Sequence, residues 1–155
     1  MAELRGRVLG LDLGDARIGV AVSDQDRTVA LPVGTVTVGR PPGELHAIAT
    51  MVSEQDVTLV VVGEPLSMDG SRGARAEQAA AFAEALRAVL SVPVVLHDER
   101  LSTVEGERRL REAGIHGRAG RAVIDATAAQ VILQAWLDLR RGSARPGGYP
   151  PSGDG

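Results

Sequence analysis

Two apolar, β-prone runs stand almost end to end near the start of the chain. They are Arg7–Leu13 (RVLGLDL) and Arg17–Ser23 (RIGVAVS), joined by Gly14-Asp15-Ala16. So short a connection leaves antiparallel pairing as their natural arrangement, so the fold opens with a hairpin. Thr28–Leu31 predicts a short third strand ended by Pro32, and Pro41-Pro42-Gly43 punctuates the chain after it. The period then changes. Apolar residues at 45, 48, 49 and 52 predict an amphipathic helix over Glu44–Glu54, and Thr58–Val62 predicts a buried strand stopped by Gly63-Glu64-Pro65. After a polar loop, Leu66–Gly73, a second helix is expected over Ala74–Leu90 and a second buried strand over Val92–Leu96. Ser102 and Glu105 make a capping box for a helix that Gly114 ends. His116–Arg121 reads as a Gly/Arg loop, and Ile124–Arg141 as the last helix, closed by Gly142.

A meander of antiparallel strands followed by alternating helix and strand predicts an α/β fold. The expected sheet is mixed and five-stranded, with three antiparallel strands first, then parallel ones, and helices on its faces. The domain is expected over residues 1–141, and residues 142–155, GSARPGGYPPSGDG, as a disordered tail.

Composition narrows the chemistry. Aromatic residues are only 2% of the chain, so the core must be built from Val, Leu, Ile and Ala. The chain has no cysteine, which excludes disulfides, thiolate metal sites and cysteine nucleophiles. All 17 basic residues are Arg, which excludes a lysine Schiff base and a P-loop lysine. Base composition of the genome accounts for that bias, although Arg also grips phosphate bidentately. The net charge of −3 does not by itself suggest a nucleic-acid partner. The opening MAELRGRVLGLDLG lacks the apolar core of a signal peptide, and no apolar run is long enough to cross a membrane. A cytoplasmic protein is expected.

Three carboxylates stand out by position. Asp12 lies inside an apolar strand between Leu11 and Leu13, where a charge is costly without a partner or a cation. Glu99 lies just past the end of the strand Val92–Leu96, and Asp125 opens the last predicted helix. If the first and fifth strands are neighbours and that helix crosses their carboxyl ends, the three converge. Converging carboxylates repel unless cations lie between them, and an all-oxygen set suits Mg²⁺ or Mn²⁺. A pair of such ions can promote phosphodiester hydrolysis. Each residue also has a plain structural reading: Asp125 as an N-cap, Glu99 with Arg100 as a solvated pair, Asp12 as an Asx-turn residue beside Gly14. Other sites are weaker. His46, His97 and His116 lack zinc-site spacing, and Gly10-x-Asp12-x-Gly14 enters a hairpin rather than a helix, unlike a dinucleotide fingerprint. His97, beside Asp98-Glu99, could serve structure or assist proton transfer.

Four segments in order, LGLDLGDARIGVAVSD (9–24), VVGEPLSMDGSRG (61–73), DERLST (98–103) and IDATAAQVIL (124–133), together resemble the YqgF/RuvX family. The resemblance runs from about Arg7 to Arg140. It implies a ribonuclease H-like fold akin to the RuvC resolvases, with Asp12, Glu99 and Asp125 as catalytic, metal-binding carboxylates holding two Mg²⁺ or Mn²⁺ ions. It implies either a nuclease that matures the 5′ end of the small-subunit ribosomal RNA precursor or a Holliday-junction resolvase, the latter needing a homodimer for two symmetric nicks. Structured RNA and branched DNA are therefore the expected partners. A non-catalytic assembly factor that only binds nucleic acid is a further alternative. The actin-like ATPases share the hairpin but close two such domains on a nucleotide, and 155 residues hold one. Two residues depart from the family pattern. Glu64 stands where an apolar residue is usual and, facing the cleft, would add a fourth carboxylate. Gly106 replaces a usual Ala, at a cost of about 1 kcal/mol of helix stability.

Residues 100–121 hold six Arg (100, 108, 109, 111, 118 and 121) against three Glu (105, 107 and 112). The segment starts at Glu99 and returns to Asp125, so it is expected to wall the substrate cleft. Arg100, Arg108, Arg118 and Arg121, with Arg17 and Arg72, are the candidate nucleic-acid contacts. Ion pairs between helix-borne Arg and Glu are the plainer reading. With no aromatic platform for stacking, recognition should rest on backbone and shape rather than base sequence. Replacing Arg118 and Arg121 by Ala should weaken nucleic-acid binding and flatten its dependence on salt by about one unit of log–log slope per lost phosphate contact. An unchanged slope in a binding titration from low to high salt would refute it.

Overall fold

In a computed structural model of the chain, residues 5–39, 43–101 and 117–144 are described, with side chains in the last span given for 126–140. The elements run β1 (Arg7–Leu13), β2 (Arg17–Ser23), β3 (Ala30–Thr37), α1 (Gly43–Glu54), β4 (Val57–Glu64), α2 (Ala74–Val89), β5 (Val94–Asp98), a 3₁₀ turn (Glu99–Leu101) and α3 (Gly117–Ala144). They form one five-stranded sheet in the order β3-β2-β1-β4-β5. The first three strands are antiparallel, and β4 and β5 run parallel to β1. The mixed sheet expected from the sequence is therefore present, but the first and fifth strands are not neighbours, because β4 lies between them.

The hairpin keeps the bounds that its pattern predicts, with Leu9 opposite Val22 and Leu13 opposite Ile18. Elsewhere the structure corrects the expectation. The third strand is longer than Thr28–Leu31 and runs through Pro32. It can do so because β3 is an edge strand, where a missing N–H leaves no ladder bond unmade, and the register shifts near Pro32. Strand β5 begins at Val94 rather than Val92, because Pro93 lends β4 only its carbonyl, which accepts from the Val60 N–H at 3.0 Å. Helix α3 starts at Gly117, not at Ile124, so the segment 117–121 expected as a loop is helical and Asp125 lies within the helix rather than at its start. Arg and Ala in that stretch are strong helix formers, and it continues a helix whose later turns are held by packing on the sheet. The same helix continues past Gly142 to Ala144. The helix expected after Ser102 and most of the tail lie outside the described residues.

Alternation along the strands sorts the core into two layers. Leu9, Leu11, Ile18, Val20, Val60 and Val62 face α1 and α2, where Ile48, Ala79, Ala83 and Leu86 complete the packing. Val8, Ala21 and Val61 face α3, which contributes Ala128, Ala129, Ile132, Leu133 and Leu137. Asp24 organises the β2–β3 turn, accepting from the backbone N–H of Thr28 and of Val29 at 2.8 and 3.0 Å. Burial raises its pKa, but the Thr28 hydroxyl and these N–H groups outweigh that and hold it at about 2. Arg27 is buried as well, donating to the Gly6 carbonyl at 2.9 Å and to Thr58 Oγ1 at 3.0 Å, which makes it a structural arginine.

Two glutamines of α3 tie the sheet edge down. Gln134 Oε1 accepts from the Ala30 N–H at 2.9 Å, Gln130 Nε2 donates to the Ala30 carbonyl at 2.9 Å, and Gln134 Nε2 donates to the Thr28 carbonyl at 3.0 Å. The helix lies so close that a β-carbon on Gly10 would stand 2.8 Å from Leu133 Cβ and 3.4 Å from the Ala129 carbonyl oxygen. Gly10→Val should therefore cost about 1–3 kcal/mol by forcing α3 off the sheet. Urea unfolding checks this, and a midpoint equal to that of the wild type would contradict it.

Candidate active site

Strand register places the first carboxylate. Asp12 pairs with Gly19 and shares the α3 face of β1 with Val8 and Gly10. It is 3% exposed. Continuing the parallel register past the Leu11–Val62 pair sets Gly63 of β4 beside it, and Gly63 in turn pairs with His97 of β5. Asp12, Gly63 and His97 thus form a row across three strands at the carboxyl end of the parallel part of the sheet. That end is where open α/β sheets carry ligand sites.

The middle of the row has no side chain, and Glu99 uses the space. A β-carbon on Gly63 would lie 2.7 Å from Glu99 Oε2 and 2.7 Å from Ile132 Cδ1. The Glu99 carboxylate therefore lies over Gly63, on the face that holds Asp12, with α3 as its roof. Both Asp12 and Glu99 engage in polar contacts within the chain. Asp125 belongs to α3, whose C-terminal course covers this face, and its side chain lies outside the described residues. Among the described residues no three His, Asp or Glu groups come together closely enough to hold a metal ion.

His97 closes the row at 4% exposure, and its Nε2 is buried without a hydrogen-bond partner. Burial pushes the imidazole below its ordinary pKa of 6.5, against the pull of Asp98. Its place opposite Gly63 was beyond sequence reasoning, because it depends on which face of β5 is turned to α3.

Glu64 points away from this row, as alternation along β4 requires, and is buried. Arg72 pairs with it, donating Nε to Glu64 Oε2 at 2.7 Å and placing Nη2 on the same oxygen. Glu64 is therefore an anchor for the loop 66–73 and not a fourth carboxylate beside Asp12. Arg100 pairs with Asp98, Nη2 to Oδ2 at 2.6 Å. Arg17 starts β2 on the face that holds Asp12. Arg108 lies outside the described residues, and Arg118 and Arg121 lie in the first turns of α3. A cavity lined by Leu13, Gly14, Glu44, Gln78 and Phe82 opens on the α1–α2 face, away from the row. No helix among the described residues is long and apolar enough to cross a membrane.

The sheet order, the roofing helix and the carboxylates at the strand ends define a ribonuclease H-like fold. The Thermus thermophilus RuvC structure in complex with a Holliday junction substrate shares that fold, with a TM-score of 0.53 at 18% identity, over 90% of this chain and 99% of that one. The RuvX family, described as Holliday junction resolvase, matches residues 6–139, and the chain belongs to it. A relative from Anaeromyxobacter sp. (strain Fw109-5), named "Putative pre-16S rRNA nuclease", is 52% identical over 134 residues, covering 86% of this chain and 98% of its own. Relatives of the same name from Myxococcus xanthus and Mycobacterium ulcerans are 51% and 49% identical, over 87% and 88% of this chain and 89% and 81% of theirs.

Gly63→Ala tests the hollow. Both groups it would meet are ends of flexible side chains, so the fold should lose no more than about 1–2 kcal/mol. The displaced Glu99 carboxylate should nonetheless lower nucleic-acid cutting about a hundred-fold. Urea unfolding beside single-turnover cutting separates the two effects. Full activity in a folded Gly63→Ala protein would show that the position of Glu99 is immaterial.

Proposed function

We propose that this chain is a divalent-metal-dependent endonuclease that trims the 5′ end of the small-subunit ribosomal RNA precursor in the cytoplasm. The observation that carries the reading is the buried Asp12 on the sheet face over which Glu99 is folded. A carboxylate in an apolar strand is costly unless polar partners or a cation meet it, and a second one on the same face adds a like charge that a bound cation would offset. The donor set is all oxygen and fits a hard cation such as Mg²⁺ or Mn²⁺. Asp12, Glu99 and Asp125 are the residues that would hold the ions. Two such ions, when bound, supply a nucleophilic water and neutralise the leaving oxygen of a phosphodiester.

The chain's own residues supply the rest. Ile132 and the packed face of α3 keep bulk water from the floor of the site. Arg17, Arg108, Arg118 and Arg121 contact backbone phosphates and hold the nucleic acid without reading its bases. The ribosomal RNA substrate rests on the names of relatives that are about half identical over nearly the whole domain.

A second reading is cutting of four-way DNA junctions, favoured by the description of the family itself. Two symmetric nicks would then require a dimer. One experiment addresses both. Wild type and Asp12→Asn are incubated with labelled precursor RNA ends and with a four-way junction, in Mn²⁺, Mg²⁺ or EDTA. Cutting of the RNA is expected in either metal and not in EDTA, with a loss of about a hundred-fold or more in Asp12→Asn. Faster cutting of the junction by a dimeric species would move the assignment to resolution. Binding of both without cutting would leave a binding module.

A further inference from the structure

Asp98, Glu99 and Arg100 are consecutive, yet only the middle one is folded over Gly63. The outer two hold each other. Asp98 Oδ1 accepts from the Arg100 backbone N–H at 2.9 Å and from its Nε at 3.0 Å. Asp98 Oδ2 accepts from Nε at 3.0 Å and from Nη2 at 2.6 Å. The third guanidinium nitrogen, Nη1, donates to the Met68 carbonyl at 3.3 Å. Arg100 therefore spends a donor from each of its side-chain nitrogens, and its backbone N–H as well, inside the chain. Loop 66–73 passes beside this guanidinium at Gly70, whose φ of +87° a residue with a side chain would rarely adopt.

The arrangement is a staple across Glu99. Its backbone limb closes the 3₁₀ turn Glu99–Leu101 directly after β5, and its side-chain limb joins that turn to the strand end and to the loop. A forked guanidinium bound to both oxygens of a carboxylate has one favoured geometry, so it fixes direction as well as distance. Direction is what Glu99 needs, since its carboxylate must enter a gap only as wide as a missing side chain. The pairing also holds the Asp98 carboxyl below its usual range, through the hydrogen bonds from Arg100.

We infer that Asp98 and Arg100 are positioning residues, whose ion pair sets the turn that carries the Glu99 carboxylate over Gly63 and hitches loop 66–73 to that turn. The inference rests on Glu99 being a working ligand, as proposed above. It also gives Arg100 a different task from the phosphate contact expected of it on sequence.

The test uses the full chain with Asp98→Asn, Arg100→Gln and the double variant. Each single variant should lower the rate at saturating substrate about ten- to a hundred-fold, with KM within about two-fold of wild type. The double variant should be no slower than the worse single one, because both break the same staple. Affinity for a four-way DNA junction in EDTA, and its salt slope, should not change in Arg100→Gln. Hydrogen exchange at the Arg100 amide should accelerate in Asp98→Asn, a readout that needs neither metal nor turnover. Losses that multiply in the double variant would overturn the inference. So would a fall of about one in the salt slope for Arg100→Gln alone, which would make it a phosphate contact. Should Arg100→Gln fail to fold by circular dichroism, Arg100→Lys replaces it, since Lys keeps the charge but not the fork. Glu99→Gln is the control for the underlying reading. Undiminished cutting by Glu99→Gln would sink the role of Glu99, and the amide-exchange result would still decide whether the staple orders the turn.

Discussion

Helix α3 rests on the sheet so closely that a side chain on either of two strand residues beneath it would displace a neighbour, and the rest of the molecule is arranged around that contact. At Gly10 the absent side chain is replaced by Leu133, and at Gly63 by Ile132 together with the Glu99 carboxylate. Close packing of this kind transmits small volume changes, because protein interiors have few voids to absorb them. The site thus inherits its geometry from the core. Asp12 is held by β1, Glu99 by the turn after β5, and the roof above both by the helix whose register is set at Gly10.

The charged groups around the site are mostly spoken for. Glu64 and Asp98 are register partners at the ends of β4 and β5, and each holds an arginine at the margin of the same loop. Arg27 is buried and donates to the Gly6 carbonyl, ahead of β1. An arginine-only complement of cations suits this use, since a planar fork matches a carboxylate in a way an ammonium does not. Arginines paired in this way spend their charge inside the chain rather than on a partner. That fits a chain whose net charge is slightly negative.

Much of this was legible beforehand, and the parts that were not share a cause. The hairpin could be bounded from the sequence because its apolar runs are separated by a short turn. Asp12 could be singled out because a carboxylate between two leucines is costly in any strand. The end of β3 was missed because Pro32 reads as a stop unless the strand is known to lie at an edge. The start of α3 was missed because Gly117 and Gly120 read as loop residues when the packing of the helix is not known. The row through Gly63 to His97 could not be found without the register of β4 on β1 and β5. The Asp98–Arg100 staple did leave a trace, two opposite charges flanking a candidate ligand, but the sequence reading pairs Arg100 with Glu99, because the turn that turns Glu99 away is not visible in it.

Leu31 and Val33 leave apolar side chains on the outer strand, a combination that invites another chain to add itself to the sheet. The glutamines of α3 occupy the Ala30 N–H and carbonyl, and Pro32 has no donor to offer, so this edge is a broken template. A strand from another chain laid along this end of β3 would find no continuous run of donors and acceptors to join.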